Sequence, residues 1–506
     1  AGYSDQYLQN YSFRATAAGF PNNDLRVLSA ASNVNKSNDG SRDELYLRSF
    51  FARVNYTLAD RYLLTATVRR DGSSNFSKNN RYGTFPSVSL GWVLSEEGFL
   101  KDSPLVSLLK IRASYGLLGN QAIGPYNYSP TLNVTSNYPF GTSQAVQPGT
   151  APRRLPSDAK WETTRQADVG LELGLLQDKL VLVADYFHKQ TDGMLITAPN
   201  IPLTTGLPDK PAVNAGGIEN QGVELALTYR KATGPFTYSI TGNFTTYRNR
   251  VTSLGSNGQP LFAPSAGYSF AKTEVGSSIG RFYGYVADGL YQSEAEIDKN
   301  FAPNAAPGDV RFKDLNGDGK LDDKDRDYIG SPLPDFSYGL SGTAGYGGFD
   351  LSLLLYGVAG NQIVNRNIPG MNASVNTTAA ALRRWTPDNP NTDVPRAVSG
   401  DPNNNYTRFS SRYIEDGSFL RLRNVTVGYT LPAALSQQLR LGKLRLYVSG
   451  QNLLTFTGYS GFDPETANGS QSAQGTWFVS QNLLRGVDNG ASPLPRTLLG
   501  GLQVEF

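Results

Sequence analysis

Apolar and polar residues alternate one by one through long stretches of this chain. Leu109, Ile111, Ala113, Tyr115 and Leu117 alternate with Lys110, Arg112, Ser114 and Gly116, and Tyr62, Leu64, Ala66 and Val68 with Thr65, Thr67 and Arg69. Val223, Leu225, Leu227 and Tyr229 alternate with Glu224, Thr228 and Arg230; Leu444, Leu446 and Val448 alternate with Lys443, Arg445 and Ser449. A period of two with one apolar face predicts strands lying between two different environments. The pattern runs to the last residue, where Leu498, Leu502, Val504 and Phe506 share one face and Gln503 and Glu505 the other. A soluble sandwich would bury the apolar face in a core. A membrane barrel would present it to lipid, line its lumen with the polar face, and close on a strand whose terminal aromatic meets the lipid interface.

Connection lengths separate these two folds. The alternation marks about fourteen strands, at 5–17, 47–58, 62–71, 84–95, 108–117, 164–175, 179–190, 218–231, 235–250, 336–346, 349–358, 419–431, 443–451 and 497–506. Tight connections fall at Ala59-Asp60-Arg61, Leu176-Gln177-Asp178, Ala232 to Pro235, Gly347-Gly348 and Pro432 to Gly442. Between them come long polar excursions at 118–163, 191–217, 251–335, 359–418 and 452–496. Short turns on one rim and long loops on the other are the layout of outer-membrane barrels, with the short rim periplasmic. So many loops beyond about 15 residues are uncommon in a compact soluble domain. The expectation is an all-β antiparallel transmembrane barrel. Within 419–431 the apolar parity slips between Leu420/Leu422 and Val425/Val427/Tyr429/Leu431, which predicts a β-bulge at Asn424.

Composition agrees. The 506 residues include 53 Gly, 28 Tyr, 24 Phe and no Cys, with a mean hydropathy of −0.36. No apolar run approaches the roughly 18 residues of a helical span, so membrane embedding must be by barrel. Aromatics cluster at strand ends (Tyr56, Tyr62, Trp92, Tyr115, Tyr186, Phe187, Tyr229, Tyr247, Tyr346, Tyr429), as interfacial girdles require. Absence of Cys suits passage through an oxidising periplasm. A net charge of +3 without a basic block excludes a nucleic-acid binder.

Little in the chain suggests catalysis. His188 is the only histidine, and without Cys or a second His neither a zinc site nor a Ser-His triad can form, so an enzyme is not expected. Glu162, Asp168 and Glu172 on alternate positions read as a hydrophilic lumen wall. The sharpest local motif runs from Asp314 to Asp325. Asp314, Asn316, Asp318, Asp322 and Asp325 stand at positions 1, 3, 5, 9 and 12, Gly319 at 6, and the Lys320 carbonyl at 7. That is the spacing of a calcium loop, with Asp where Glu is usual at position 12. It predicts a structural calcium within the 251–335 excursion, against a plain solvated turn. Aromatic side chains in the excursions (Tyr126, Tyr128, Tyr138, Trp385, Tyr406, Trp477, Phe478) suit stacking on sugars, peptide binding, docking of a lid protein, or ordinary loop packing.

Several segments together resemble the SusC/RagA family of TonB-dependent outer-membrane transporters of Bacteroidota. They include Arg69 to Phe76, Gly83 to Trp92, Leu109 to Asn120, Lys160 to Thr164, Asn214 to Glu224, Gly280 to Tyr285, Asp309 to Asp327 and Asp416 to Val425, in family order along nearly the whole chain. The resemblance implies a 22-stranded barrel plugged by an N-terminal domain, of which 1–506 would be the C-terminal portion. About eight strands, the plug and the TonB-contacting extension would then lie outside this sequence, and the first strand, near Tyr7 to Ala15, should not pair with the strand ending at Leu502, Val504 and Phe506. The implied activity is TonB-driven import of oligosaccharide or peptide in the cell outer membrane, with a SusD-like surface lipoprotein as lid. The competing readings are a structural or adhesive barrel and a soluble calcium-binding β-protein.

Overall fold

The computed structural model describes all residues except 33–35, 141–144, 198–206, 208–210, 256, 266–267, 368–378, 466–482 and 491. Fourteen antiparallel strands form one sheet in which each strand pairs with the next in the chain. They are β1 (Gly2–Thr16), β2 (Ser37–Leu58), β3 (Tyr62–Ser73), β4 (Tyr82–Val93), β5 (Val106–Asn120), β6 (Glu162–Leu175) and β7 (Leu180–Thr197). The sheet continues through β8 (Ala212–Lys231), β9 (Phe236–Leu254), β10 (Phe336–Tyr346), β11 (Phe349–Ala359), β12 (Phe419–Thr430), β13 (Lys443–Thr457) and β14 (Thr497–Glu505). Every strand read from the alternation is present. Among the described residues no ladder joins β1 to β14, as expected.

Register follows the pattern. Ile111 faces Trp92 and Leu171, Val169 faces Ala113 and Tyr186, and Leu502 faces Leu446. Apolar residues therefore meet apolar ones on one face. The opposite face pairs Lys110 with Glu172 and Ser114 with Asp168. A slip of one residue would turn every charge toward lipid, so the two solvents fix the register.

The short rim is built from turns that need positive φ. Gly347 and Gly348 (φ 56° and 90°) join Tyr346 to its partner Phe349 in a two-residue hairpin, the backbone twist that matches paired strands. Ala59 and Asp60, and then Leu176, Gln177 and Asp178, adopt the same left-handed region without glycine. The connection from Pro432 to Gly442 is less simple than expected and contains a short helix, α1 (Ala433–Gln438).

The structure corrects three local expectations. In β12 the unpaired residue is Arg423, because Leu354 faces Asn424 and Leu355 faces Leu422. Apolar parity locates a bulge only to within a residue. Phe187 and Tyr247 do not belong to the outer girdle. They point to the lumen face, where both close on Gly222, whose missing Cβ would meet the Phe187 ring at 2.8 Å. Strands also run further toward the long-loop rim than apolar alternation reveals: β2 has 22 residues and β8 has 20. A bilayer needs only about 9–11, so their upper ends rise above it.

Candidate functional site

On the long-loop rim the excursions fold together. Residues 261–265, 268–273, 281–285 and 326–330 make a four-stranded sheet, and 287–290 pairs with 310–312. Residues 362–365 pair antiparallel with 414–416 and parallel with 487–488, joining two distant excursions. Phe270, Phe282, Val364, Phe409, Tyr413, Leu484 and Val487 from three excursions form one buried cluster. A second cluster of Leu290, Val310 and Phe312 lies under Trp385.

Polar anchors hold these pieces in place. Asp309 is fully buried and receives both forks of Arg396 at 2.7 and 3.0 Å, the Asn405 amide at 2.8 Å and the Ala306 N–H at 2.8 Å. Asn405 in turn accepts from the Val310 N–H, also at 2.8 Å. Sequence reasoning missed Asp309, Asn403 and Asn405. The Asn403-Asn404-Asn405 run was their only local signal, and it reads as a turn until the buried partner is known. Arg421 on β12, almost wholly buried, binds Asp463 at 2.6 Å and Glu465, while the bulged Arg423 also contacts Glu465. The last excursion is thus clamped to the wall. Burial pushes the Asp463 carboxyl up, but the Arg421 hydrogen bond and two backbone N–H groups outweigh it and hold it below the usual range.

Of the aromatic contact candidates, Trp385 and Tyr406 both stand beside Arg396. Trp385 covers Gly308, where a Cβ would stand 2.4 Å from the indole, and donates to Gln292 Oε1 at 3.0 Å. Tyr406 donates to the Pro395 carbonyl at 3.1 Å, and burial raises its phenol. Both are partly buried within the loop assembly. Tyr126 is exposed at a positive φ of 59°, and Tyr128 is half-buried with its carbonyl bonded to the Ser157 N–H. Trp477 and Phe478 lie outside the described residues, as does the Tyr138 side chain.

The 314–325 loop closes on its own backbone. Asp314 accepts from the N–H groups of Gly317 at 2.7 Å and Gly319 at 2.9 Å. Asn316 Oδ1 accepts from the Asp318 N–H, and Asp318 Oδ1 from the Lys320 N–H, both at 3.0 Å. The hydrogen bond from Asn316 lowers the Asp318 carboxyl. Asp325, fully buried, accepts from Leu315 and Asp322, and Asp322 accepts from Lys324. Among the described residues no three His, Cys, Asp or Glu side chains gather as a metal cluster. The spacing predicted from sequence is there; convergence of the carboxylates on one point is not.

On the lumen face, Arg112 contacts Asp168 at 3.5 Å, Glu172 at 3.2 Å and Asp185 at 2.6 Å, with Lys110 to Glu172 at 3.1 Å. Glu162, higher on the same wall, accepts from Asn120 and the Leu195 N–H, at the edge of a cavity of about 160 Å³ lined by Met194, Ile218, Val251 and Leu261. His188, on the opposite face, pairs its Nε2 with Glu219 at 3.0 Å.

An up-and-down sheet with one apolar face, short turns on one rim and a folded loop assembly on the other leads to a specific group of known proteins. Residues 1–453 match the family described as TonB dependent receptor-like, beta-barrel. The chain belongs to the TonB-dependent receptor β-barrel family. It is 37% identical over its whole length to TonB-dependent receptor P3 of Formosa agariphila, covering 50% of that protein. It is 31% identical to TonB-dependent receptor SusC of Bacteroides thetaiotaomicron, over 91% of this chain and 44% of that one. The structure of the RagAB peptide transporter superposes on all of this chain and 53% of its own, with a TM-score of 0.77 at 25% identity. The chain spans about half the length of the curated relatives it matches. As a TonB-dependent receptor barrel it is an outer-membrane protein, of a receptor and transporter family rather than an enzyme family.

Proposed function

We propose that this TonB-dependent receptor chain forms wall and extracellular mouth of an importer that takes up oligomeric nutrients, oligosaccharide or peptide, with energy relayed by TonB and a SusD-like lipoprotein closing the mouth. The observation that carries this reading is the folded loop assembly above a charged lumen face. A mouth with its own hydrophobic core offers a rigid surface to cargo and lid, which a purely structural barrel has no use for. Relatives named SusC and a RagAB peptide transporter support it. The test is deletion of the gene, then growth on defined oligosaccharides and peptides as sole nutrient. A growth defect on one oligomer class, absent on its monomer, supports import; normal growth on all of them favours the adhesive barrel. Co-purification in detergent with a surface lipoprotein tests the lid.

For the 314–325 loop we infer that calcium enters weakly. An ion must share Asp314, Asp318 and Asp325 with the loop's own N–H donors and draw together carboxylates that do not yet gather. That places affinity in the roughly 10⁻⁴–10⁻³ M class of extracellular calcium modules.

A further inference from the structure

Beside the four-stranded loop sheet, the 404–409 segment borders an open cleft of about 260 Å³, lined by Ser269, Tyr285, Arg326, Asn404, Thr407 and Arg408. Two guanidinium groups face it. Arg408 lies over the rings of Tyr285 and Phe312, each at 5.1 Å, and spends one N–H on the Asn403 carbonyl at 3.3 Å. No ion pair holds it among the described residues. Arg326 lies over the Tyr283 ring at 4.8 Å and donates to the carbonyls of Ser269 and Tyr283 at 3.4 and 3.3 Å. Its carboxylate neighbour, Asp323, stands 3.7 Å away and is 89% exposed, a pair of little strength in water. The aromatic faces hold both cations in place; Arg408 has no carboxylate partner among the described residues, and Arg326 has only the exposed Asp323.

Such paired planar forks match an oxyanion, and a carboxylate best of all because two parallel N–H groups can meet its two oxygens. A second feature points to a ligand that also carries hydroxyl groups. Among the described residues the Ser269 hydroxyl is buried without a hydrogen-bond partner, a lack that an incoming donor or acceptor would fill. Thr407 donates to the Asn404 side-chain oxygen at 2.9 Å, so its own oxygen is open to accept. Three carbonyls beside the cleft are already engaged: Ser269 and Tyr283 on Arg326, and Phe409 on the Tyr285 N–H at 3.0 Å. A peptide backbone would find those three carbonyls occupied, whereas sugar hydroxyls would find Ser269 and Thr407.

We propose that this cleft binds a carboxylate-bearing sugar, a uronate unit of an acidic oligosaccharide, between Arg326 and Arg408. The proposal deepens the importer reading by naming a cargo chemistry, and it rests on that reading only for uptake after capture. Calorimetric titration of the full-length protein in detergent with a galacturonate tetramer reads the cleft directly. Binding should weaken about tenfold or more in Arg408→Gln, several-fold in Ser269→Ala, and with rising salt. Ser269→Ala removes no existing side-chain bond, so it tests the site even if Arg408→Gln disturbs the loop. Absence of binding, or affinity unchanged in both variants, overturns the proposal. Equal competition by neutral maltotetraose removes the carboxylate from it, and equal competition by tetraglutamate replaces the sugar with an acidic peptide; either overturns it. Intact binding without uptake by cells would instead count against the importer reading and leave the site standing.

Discussion

The wall and the loop assembly of this TonB-dependent receptor chain solve the same problem in opposite ways. The wall buries almost nothing within itself: Val448, Leu502 and Leu498 are 63%, 68% and 74% exposed. Its apolar face is complete only in lipid, and its backbone groups are satisfied by ladders between strands. The loop assembly behaves as a soluble protein, with Phe282, Val364 and Tyr413 wholly buried and Asp309 and Asn405 paired beneath the surface. One sequence thus carries two folding codes, and what is legible in each differs accordingly.

The comparison can be broken first at the loop core. Phe282→Ala should cost the loop assembly about 3–5 kcal/mol while the barrel stays folded, seen as rapid hydrogen exchange at 281–285 and 326–330 with an unchanged heat-modifiable band on gels. Simultaneous loss of both would show that the two regions are one cooperative unit. Next comes the lipid face. Leu171→Arg, which faces Ile111 and Ala184 on the apolar side, should destabilise the barrel by about 2–4 kcal/mol. The same substitution at lumen-facing Gln166 should be nearly neutral, with urea unfolding in lipid vesicles as the measurement.

A smaller effect sharpens the junction between the regions. Asp463 is held below the usual carboxylate range in the fold. Its clamp on Arg421 is therefore fully present at neutral pH. It fades as pH drops beneath the unfolded value of about 3.9 and is gone below the lower folded value. Exchange protection near 458–465 should track that course, and Asp463→Asn should abolish the pH dependence. The smallest effect is calcium. Titration to millimolar should protect 314–322, and Asp314→Ala should remove the response. Asp325→Ala should loosen the loop even without calcium, because Asp325 clamps Leu315 and Asp322. Protection already saturated at micromolar calcium would refute weak entry.

The fourteen wall strands, their two faces and the sorting of turns by rim were legible in the sequence alone. Each wall residue answers to a fixed environment, lipid or lumen, and the period-two pattern records that choice locally. The bulge was missed by one residue, and the polar first ten residues of β2, 37–46, and the first six of β8, 212–217, were missed as strand, because above the bilayer the lipid no longer imposes alternation. The loop assembly was decided by tertiary structure. Phe270, Phe409 and Leu484 lie in three separate excursions and share a core. Asp309 finds Arg396 and Asn405 far along the chain, and the Trp385 indole finds Gln292. Contacts between segments so distant leave no periodic trace, so the residues that shape the mouth read as polar loops until the fold brings them together.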